Sequence, residues 1–542
     1  MKILLLAINA RFTHVNLAVY YLRNWLEENN HEVIIIEKNI NERVLNILSC
    51  IYNYKPDVLC LSCYIWNQPL IKNILEDVKK VLPDLKIVCG GPDIVYNSEH
   101  WIANYPSIDC ISDDITVAFS KINVTFNNEF PVLPSSPFKK SDRENLQHRY
   151  IYYEASRGCP FTCSYCISPA LKHPVLYKNF DIIQKELIDI LEFEPIIIKF
   201  LDRSFNVNKE LCINIWNFIK NLNTKTKFHF EIHPLFLNDE LLNILESMPE
   251  DRIQLEVGIQ TIHSDTLKTI GRVGDWEEIK YYLQKLSDLK NIHKHYDMIA
   301  GLPDESINHV KKSFEEIISL KPDHFQLGFL KILPGSKISY ETEKWGYKFQ
   351  ESAPYSVLSS NVLTFQDMSL IQEVEEALEI VYNSVFFNTF CGFFEEISSF
   401  DFFCKLNNTF KMNNISKAVK DKFTLFRIIS EFVIDSPFLL DCIIFDWFML
   451  SKTHFYPDFL NAKHCDNFKD YIYLAFKKHK RLFENNFQYK VKNVTFFTCF
   501  TELGRILLLN NALGAAHIYN EGIYLIYEDD KKDFKIDKYL VL

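Results

Sequence analysis

Lys2-Ile3-Leu4-Leu5-Leu6-Ala7-Ile8 opens the chain as a continuous apolar run bounded by polar residues. A strand covered on both faces reads this way, whereas a half-exposed strand alternates. The theme then repeats. A helical stretch lies near Leu17–Glu28, a strand at Val33–Glu37, a helix at Asn41–Tyr52, a strand at Val58–Tyr64, a helix at Pro69–Val81 and a strand at Lys86–Gly91. Apolar runs alternating with amphipathic helices specify a doubly wound, flavodoxin-like α/β sheet over residues 1–125. Such sheets bind ligands beyond the carboxyl ends of their strands. Three features fall there: the loop Asn9–His14, the segment Ser62-Cys63-Tyr64, and Gly90-Gly91-Pro92, where paired glycines allow a ligand close to the backbone.

Moving outward, residues 126–149 read as a linker, with Pro131, Pro134, Pro137 and Ser135-Ser136 and no sustained apolar period. Over residues 150–340 the alternation resumes. Strands are expected at Ile151–Ser156, Ile196–Asp202, Phe228–His233, Arg252–Ile259, His293–Ala300 and His324–Lys331, separated by helical stretches such as Ile182–Leu191, Lys209–Asn221 and Ser306–Leu320. Six such units make a partial (β/α)6 barrel of the TIM type, whose chemistry sits at the carboxyl ends of the strands. Residues 341–542 change character: Met368–Phe387 and Thr424–Leu450 have helical spacing, and no catalytic motif is present. This region is expected to be mostly helical, with a terminal hairpin over Gly522–Tyr527 and Phe534–Leu540, and to serve as a lid, docking or recognition domain.

The loop after the first barrel strand carries the chemistry. In Ser156-Arg157-Gly158-Cys159-Pro160-Phe161-Thr162-Cys163-Ser164-Tyr165-Cys166, three cysteines stand in a CxxxCxxC spacing. Iron–sulfur clusters usually take four cysteines. Three thiolates on one tight loop can hold three irons of a 4Fe–4S cube and leave the fourth open. The amino and carboxylate groups of S-adenosylmethionine can fill that position, and an electron from the cluster can then cleave its sulfonium C–S bond to give a 5′-deoxyadenosyl radical. The alternatives are a zinc knuckle, which wants a fourth ligand that the neighbouring sequence lacks, and three unrelated core cysteines in a chain with 14 of them. Gly158 and Pro160 favour the cluster, because they make a turn and not a core strand.

Polar residues recur at the other strand ends: Asp202, Glu231 with His233, Glu256 with Gly258 and Gln260, and Asp297 ahead of Gly301. Charges inside apolar strands are costly unless paired or ligand-bound. Several of them beside a cysteine loop suggest a lined cavity, although Glu256 and Asp297 could also cap helices or pair with Arg252 or Lys294.

Composition narrows the class. At 542 residues the chain is too long for one core, and 48% hydrophobic content is ample for burial. The net charge of −11 disfavours an extended nucleic-acid-binding face. The basic run Lys477-Lys478-His479-Lys480-Arg481 reads as a solvated helix surface. No apolar stretch reaches membrane-spanning length, and Met1-Lys2 leads directly into a strand instead of a signal peptide. Fourteen cysteines in that context imply a reducing cytoplasm.

The phrase Arg157-Gly158-Cys159-Pro160-Phe161 through Ser164-Tyr165-Cys166 resembles the radical S-adenosylmethionine superfamily, in the subgroup whose members often carry an N-terminal cobalamin-binding domain. The resemblance covers most of residues 1–335. It implies a 4Fe–4S cluster on Cys159, Cys163 and Cys166. It implies S-adenosylmethionine contacts from Tyr165, Asp202, Glu231, Gln260 and the Gly301 segment, and cobalamin contacts from Ser62, Gly90 and Gly91. Two features depart from the subgroup. The Asp-x-His-x-x-Gly signature that ligates cobalt is absent, with His14 in the right loop at the wrong spacing, and Ser112-Asp113-Asp114-Ile115-Thr116 stands where relatives often have a Gly-Glu-Gly-Glu turn.

What the resemblance implies for function is hydrogen abstraction from a small-molecule or otherwise unknown substrate. If cobalamin is bound, radical C-methylation is the leading reading, although the resemblance also covers cobalamin-bound enzymes that carry out non-methylating rearrangements. An external electron donor such as flavodoxin or ferredoxin would reduce the cluster. A methylthiotransferase acting on tRNA or protein is the rival enzyme; the spacing of Cys60, Cys63 and Cys89 is not that of its second cluster site. A non-catalytic cobalamin or redox sensor is the rival outside enzymes.

Overall fold

The computed structural model describes residues 1–459, except 125, 127, 169–173, 385, 393–398, 416–420, 437–438, 441, 444–445, 448–449, 451–456 and 458. Two compact units are present, Met1–Ser369 and Leu370–Leu542.

The first unit begins with a parallel sheet of β1 (Lys2–Asn9), β2 (Glu32–Asn39), β3 (Val58–Ser62), β4 (Lys86–Gly90) and β5 (Cys110–Ile111). Its order is β2-β1-β3-β4-β5, the flavodoxin-like order, with the switch point between β1 and β3. The apolar run of β1 explains its central place: Ile3 to Leu6 are fully buried, and each such side chain contributes about 1.5–3 kcal/mol relative to exposure. Helices α1 (Leu17–Glu28), α2 (Val44–Tyr54) and α3 (Gln68–Val81) connect the strands. Pro69 sits in the first turn of α3, where its missing N–H costs no helical bond. Lys55 ends α2 in the left-handed region, at φ 50°.

The Pro- and Ser-rich segment after this sheet is held down. Arg23 of α1 reaches the buried Asp142, with its second guanidinium nitrogen 2.9 Å from the carboxylate, and donates to the Pro137 carbonyl at 3.0 Å. Arg149 pairs with Glu37 of β2 at 2.8 Å.

A second parallel sheet follows, built from β6 (Tyr150–Tyr153), β9 (Ile197–Phe200), β10 (Lys227–Ile232), β11 (Ile253–Gln260), β12 (His293–Ala300) and β13 (His324–Phe329). Its order is sequential from β6 to β13, as a six-stranded partial barrel requires. Between β6 and β9 a short antiparallel ribbon, β7 (Ser156–Arg157) with β8 (Leu176–Tyr177), brackets the cysteine loop. Along β11, Ile253, Leu255, Val257 and Ile259 are buried, whereas Gln254, Glu256, Gly258 and Gln260 are half-buried on the opposite face. This alternation turns the apolar residues outward to the covering helices and the polar ones into the lumen. The first unit runs past residue 340 to include the pair β14 (Lys348–Phe349) and β15 (Val357–Ser359).

The described part of the second unit is helical, at Asn388–Gly392, Phe400–Met412 and Lys422–Phe432. The basic run Lys477–Arg481 and the expected terminal hairpin lie outside the described residues. No helix among the described residues is long and apolar enough to cross a membrane.

Candidate functional site

The cysteine loop leaves β7 at Gly158, whose φ of +112° suits glycine and whose Cα faces the Val175 backbone so closely that a Cβ would sit 3.2 Å from it. Backbone bonds then pin the loop: Ser164 donates to Ile270 at 2.8 Å, and Ile338 donates to Ser164 at 2.8 Å. Phe161 packs against the ring of His233 at 4.7 Å, at the carboxyl end of β10. Cys159, Cys163 and Cys166 are all free, with Cys163 buried. Burial pushes the Cys159 thiol up, and the neighbouring Cys166 and Cys163 push it further, while Phe161 N–H and Arg203 oppose them. The Ser168 N–H lies 3.4 Å from Cys166 Sγ. Tyr165 turns its hydroxyl to Cys163, beside Arg272.

Among the described residues, no three His, Cys, Asp or Glu side chains converge as ligands of one metal ion. Three free thiols on one pinned turn are the donor set that an iron–sulfur cube with one open iron takes.

Asp202 lies directly beneath the loop. It is buried, accepts from the Ala155 N–H at 3.1 Å and from the Ser156 hydroxyl, and thereby ties the end of β9 to β7. Burial raises its carboxyl to about 7 against these hydrogen bonds. Glu231 of β10 is half-buried, lies 3.8 Å from Arg203, and is pushed up to about 7 by burial. Gln260 ends β11 in the left-handed region, at φ 71°, with its Oε1 buried and without a partner among the described residues. Gly301 is placed differently: its carbonyl accepts from the Tyr347 hydroxyl at 2.9 Å, and it packs towards Leu330, Val357 and Met368. Two cations escaped the sequence reading. Arg272 donates to the Gly258 carbonyl, and Arg203 stands over Glu231. Arg203 sits in a turn after β9 and Arg272 just after the turn at Ile270–Gly271, with no motif to announce either.

At the carboxyl ends of the first sheet, Ser62, Gly90 and Gly91 line one cavity of about 250 Å³, together with Tyr21, Cys60 and Cys89. The Asn16 side chain donates to Ser62 Oγ at 3.2 Å. Arg157, on the cysteine loop, reaches the same cavity and is held by Glu154. Tyr64 and Trp66 stack at 4.4 Å with their planes 7° apart, just past Ser62. His14 does not face this cavity; its Nδ1 lies 2.7 Å from the Tyr152 hydroxyl at the barrel.

Residues 3–119 match the B12 binding domain, residues 153–317 match the radical SAM superfamily, and residues 343–501 match a family described as a protein of unknown function, DUF4080. The cobalamin-dependent radical SAM methyltransferase TokK of Streptomyces tokunonensis is 21% identical over 345 residues, covering 53% of this chain and 48% of TokK. The ribosomal protein uS12 methylthiotransferase RimO of Protochlamydia amoebophila is 23% identical over 269 residues, covering 47% of this chain and 55% of RimO. This chain spans about half the length of these curated relatives. Among solved structures, the cobalamin-dependent S-adenosylmethionine radical enzyme OxsB with aqua-cobalamin bound superposes with a TM-score of 0.55 at 13% identity, covering 89% of this chain and 84% of OxsB. The fold is shared.

Proposed function

We propose that this chain, which joins a B12-binding domain to a radical SAM domain, is a cobalamin-dependent radical S-adenosylmethionine methyltransferase acting on a small molecule. The observation that carries this reading is that Arg157, two positions before Cys159 in the chain, lines the same cavity as Ser62, Gly90 and Gly91. When bound, the cluster and S-adenosylmethionine supply a carbon radical, and cobalamin supplies a transferable methyl group.

The protein's own residues provide position and exclude water. Cys159, Cys163 and Cys166 would hold the cluster, on a turn fixed by Ser164 and by the Ser156–Asp202 hydrogen bond. Tyr165, Asp202, Glu231 and Gln260 stand around the loop or at the adjoining strand ends, where S-adenosylmethionine would lie. Gly301, bonded to Tyr347, would shape that pocket from behind. Ser62 and the two glycines would seat the nucleotide tail of cobalamin. The B12-binding match favours methyl transfer over methylthiolation. Residues 1–125, 150–340 and 341–542 are proposed as functional domains, with 126–149 as the linker between the first two and the last as a lid, docking or recognition domain. An external flavodoxin- or ferredoxin-type donor would supply electrons.

Anaerobic purification tests the cofactor pairing directly. The expected protein carries corrinoid absorbance together with iron and sulfide; a protein that takes up iron and sulfide but never a corrinoid would contradict methyl transfer.

A further inference from the structure

β2 stands at the edge of the first sheet and is bonded to β1 alone among the described strands. The Glu32 N–H donates to the Met1 carbonyl at 3.0 Å, and the Ile40 N–H donates to the Asn9 carbonyl at 3.1 Å. Even-numbered residues of β2 therefore bond to β1, and the N–H and C=O groups of Val33, Ile35 and Glu37 point away from the sheet. Among the described residues, no strand takes those groups up.

A free edge is a template for another strand, and proteins commonly blunt it with proline, bulges, short length or charge. β2 runs eight residues, from Glu32 to Asn39, without proline or glycine and in unbroken register with β1. Ile34 in its middle is 37% exposed, and Ile40 just past its end is 39% exposed.

The strand is complementary to itself. Laid antiparallel to a second copy about a two-fold axis at Ile35, it sets Ile35 against Ile35, Ile34 against Ile36 and Glu32 against Lys38, the last two pairs occurring twice. Ile35 then takes a hydrogen-bonded position, as its outward N–H and C=O require. Ile34–Ile36 and Glu32–Lys38 take non-hydrogen-bonded positions, where facing side chains come closest. Val33 stands opposite Glu37, whose carboxylate is already turned to Asn9, Tyr20 and Arg149. The Lys38 ammonium has no hydrogen-bond or ion-pair partner among the described residues. Glu32 meets Lys2 only at 3.9 Å and Tyr54 at 3.5 Å, on a side chain 62% exposed, so it is open to a second cation. The neighbouring registers set Glu32 against Ile36 or Ile40 and lose both charge pairs.

We propose that two copies of this chain dimerise through β2, joining their five-stranded sheets into one across a two-fold axis at Ile35. β1 separates β2 from β3 and β4, so the dimer does not involve the cavity at Ser62, Gly90 and Gly91. This inference stands apart from the proposed reaction.

The test is sedimentation velocity on the full chain from about 1 to about 100 µM, a range that brackets a modest protein–protein affinity. A concentration-dependent monomer–dimer equilibrium is expected. Lys38→Glu should weaken the dimer by at least about tenfold, because both charge pairs become repulsive, and adding Glu32→Lys should restore it. Carbodiimide coupling of the wild type reads the register. Lys38 and Glu32 stand about 20 Å apart along one strand, so a Lys38–Glu32 link forms only between copies. A monomer throughout the range, a dimer indifferent to Lys38→Glu, a double variant as weak as the single one, or a dimer without the Lys38–Glu32 link each overturns the proposal. Should a variant lose the wild-type circular dichroism, the coupling of the wild type alone decides.

Discussion

The Nδ1 atom of His14 lies 2.7 Å from the hydroxyl of Tyr152. The loop residue that a cobalamin domain could have used beneath cobalt is instead engaged with the first barrel strand, and the His14 carbonyl accepts from Arg149. His14→Ala should therefore leave the absorbance and paramagnetic resonance of the bound corrinoid unchanged. It should cost only a hydrogen bond's worth of stability, about 0.5–1.5 kcal/mol. Loss of a nitrogen coupling on cobalt in the variant would contradict this assignment.

Gly91 sits at φ 100°, ψ 160°, a region open essentially to glycine alone. A Cβ there would stand 2.5 Å from the Cys63 carbonyl oxygen. Gly91→Ala should destabilise the first sheet by about 1–3 kcal/mol from backbone strain, with the clash in addition. Urea titration measures the loss, and corrinoid retention should fall with it. Gly392, with nothing among the described residues within 4 Å of its would-be Cβ, is the matched control.

Glu37 accepts from the Asn9 side chain at 3.0 Å, the Asn16 N–H at 2.9 Å, the Tyr20 hydroxyl at 3.2 Å and Arg149 at 2.8 Å. Glu37→Ala leaves a nearly buried guanidinium and several donors without their acceptor. Breaking such a pair from one side costs about 3–5 kcal/mol, so the denaturation midpoint should drop clearly. A change within experimental scatter would remove Glu37 as the hub between β2 and the segment before β6.

These anchors show what the sequence could and could not reveal. The apolar run of β1, the sequential barrel strands and the cysteine loop announced themselves by local pattern: an unbroken apolar run, recurring strand–helix alternation and fixed spacing. The strand order and the placement of Gly90 and Gly91 followed from topology rules. The clamps Arg23–Asp142 and Arg149–Glu37 were illegible, because each joins residues more than 100 positions apart. Arg272 and Arg203 were hidden although their partners are closer in sequence, because their meaning comes from a carbonyl on β11 and a carboxylate on β10.

Glu305 is fully buried and accepts from the Thr261 hydroxyl. Burial raises its carboxyl to about 7. The folded state therefore holds this proton more tightly than the unfolded state. Its contribution to stability is fully present below the unfolded value near 4.5 and declines as pH rises through about 7. Relative to Glu305→Gln, the wild type should lose a few kcal/mol between those limits. Parallel stability–pH curves for the two proteins would show that the carboxyl does not titrate as assigned.

The most direct measurement asks whether the three-thiol loop cleaves S-adenosylmethionine. Full-length protein reconstituted anaerobically with iron and sulfide, then given dithionite and S-adenosylmethionine, should form 5′-deoxyadenosine, and Cys163→Ala should form none. A wild-type protein that loads its cluster yet yields no 5′-deoxyadenosine, or a Cys163→Ala protein that yields as much as the wild type, would contradict the account.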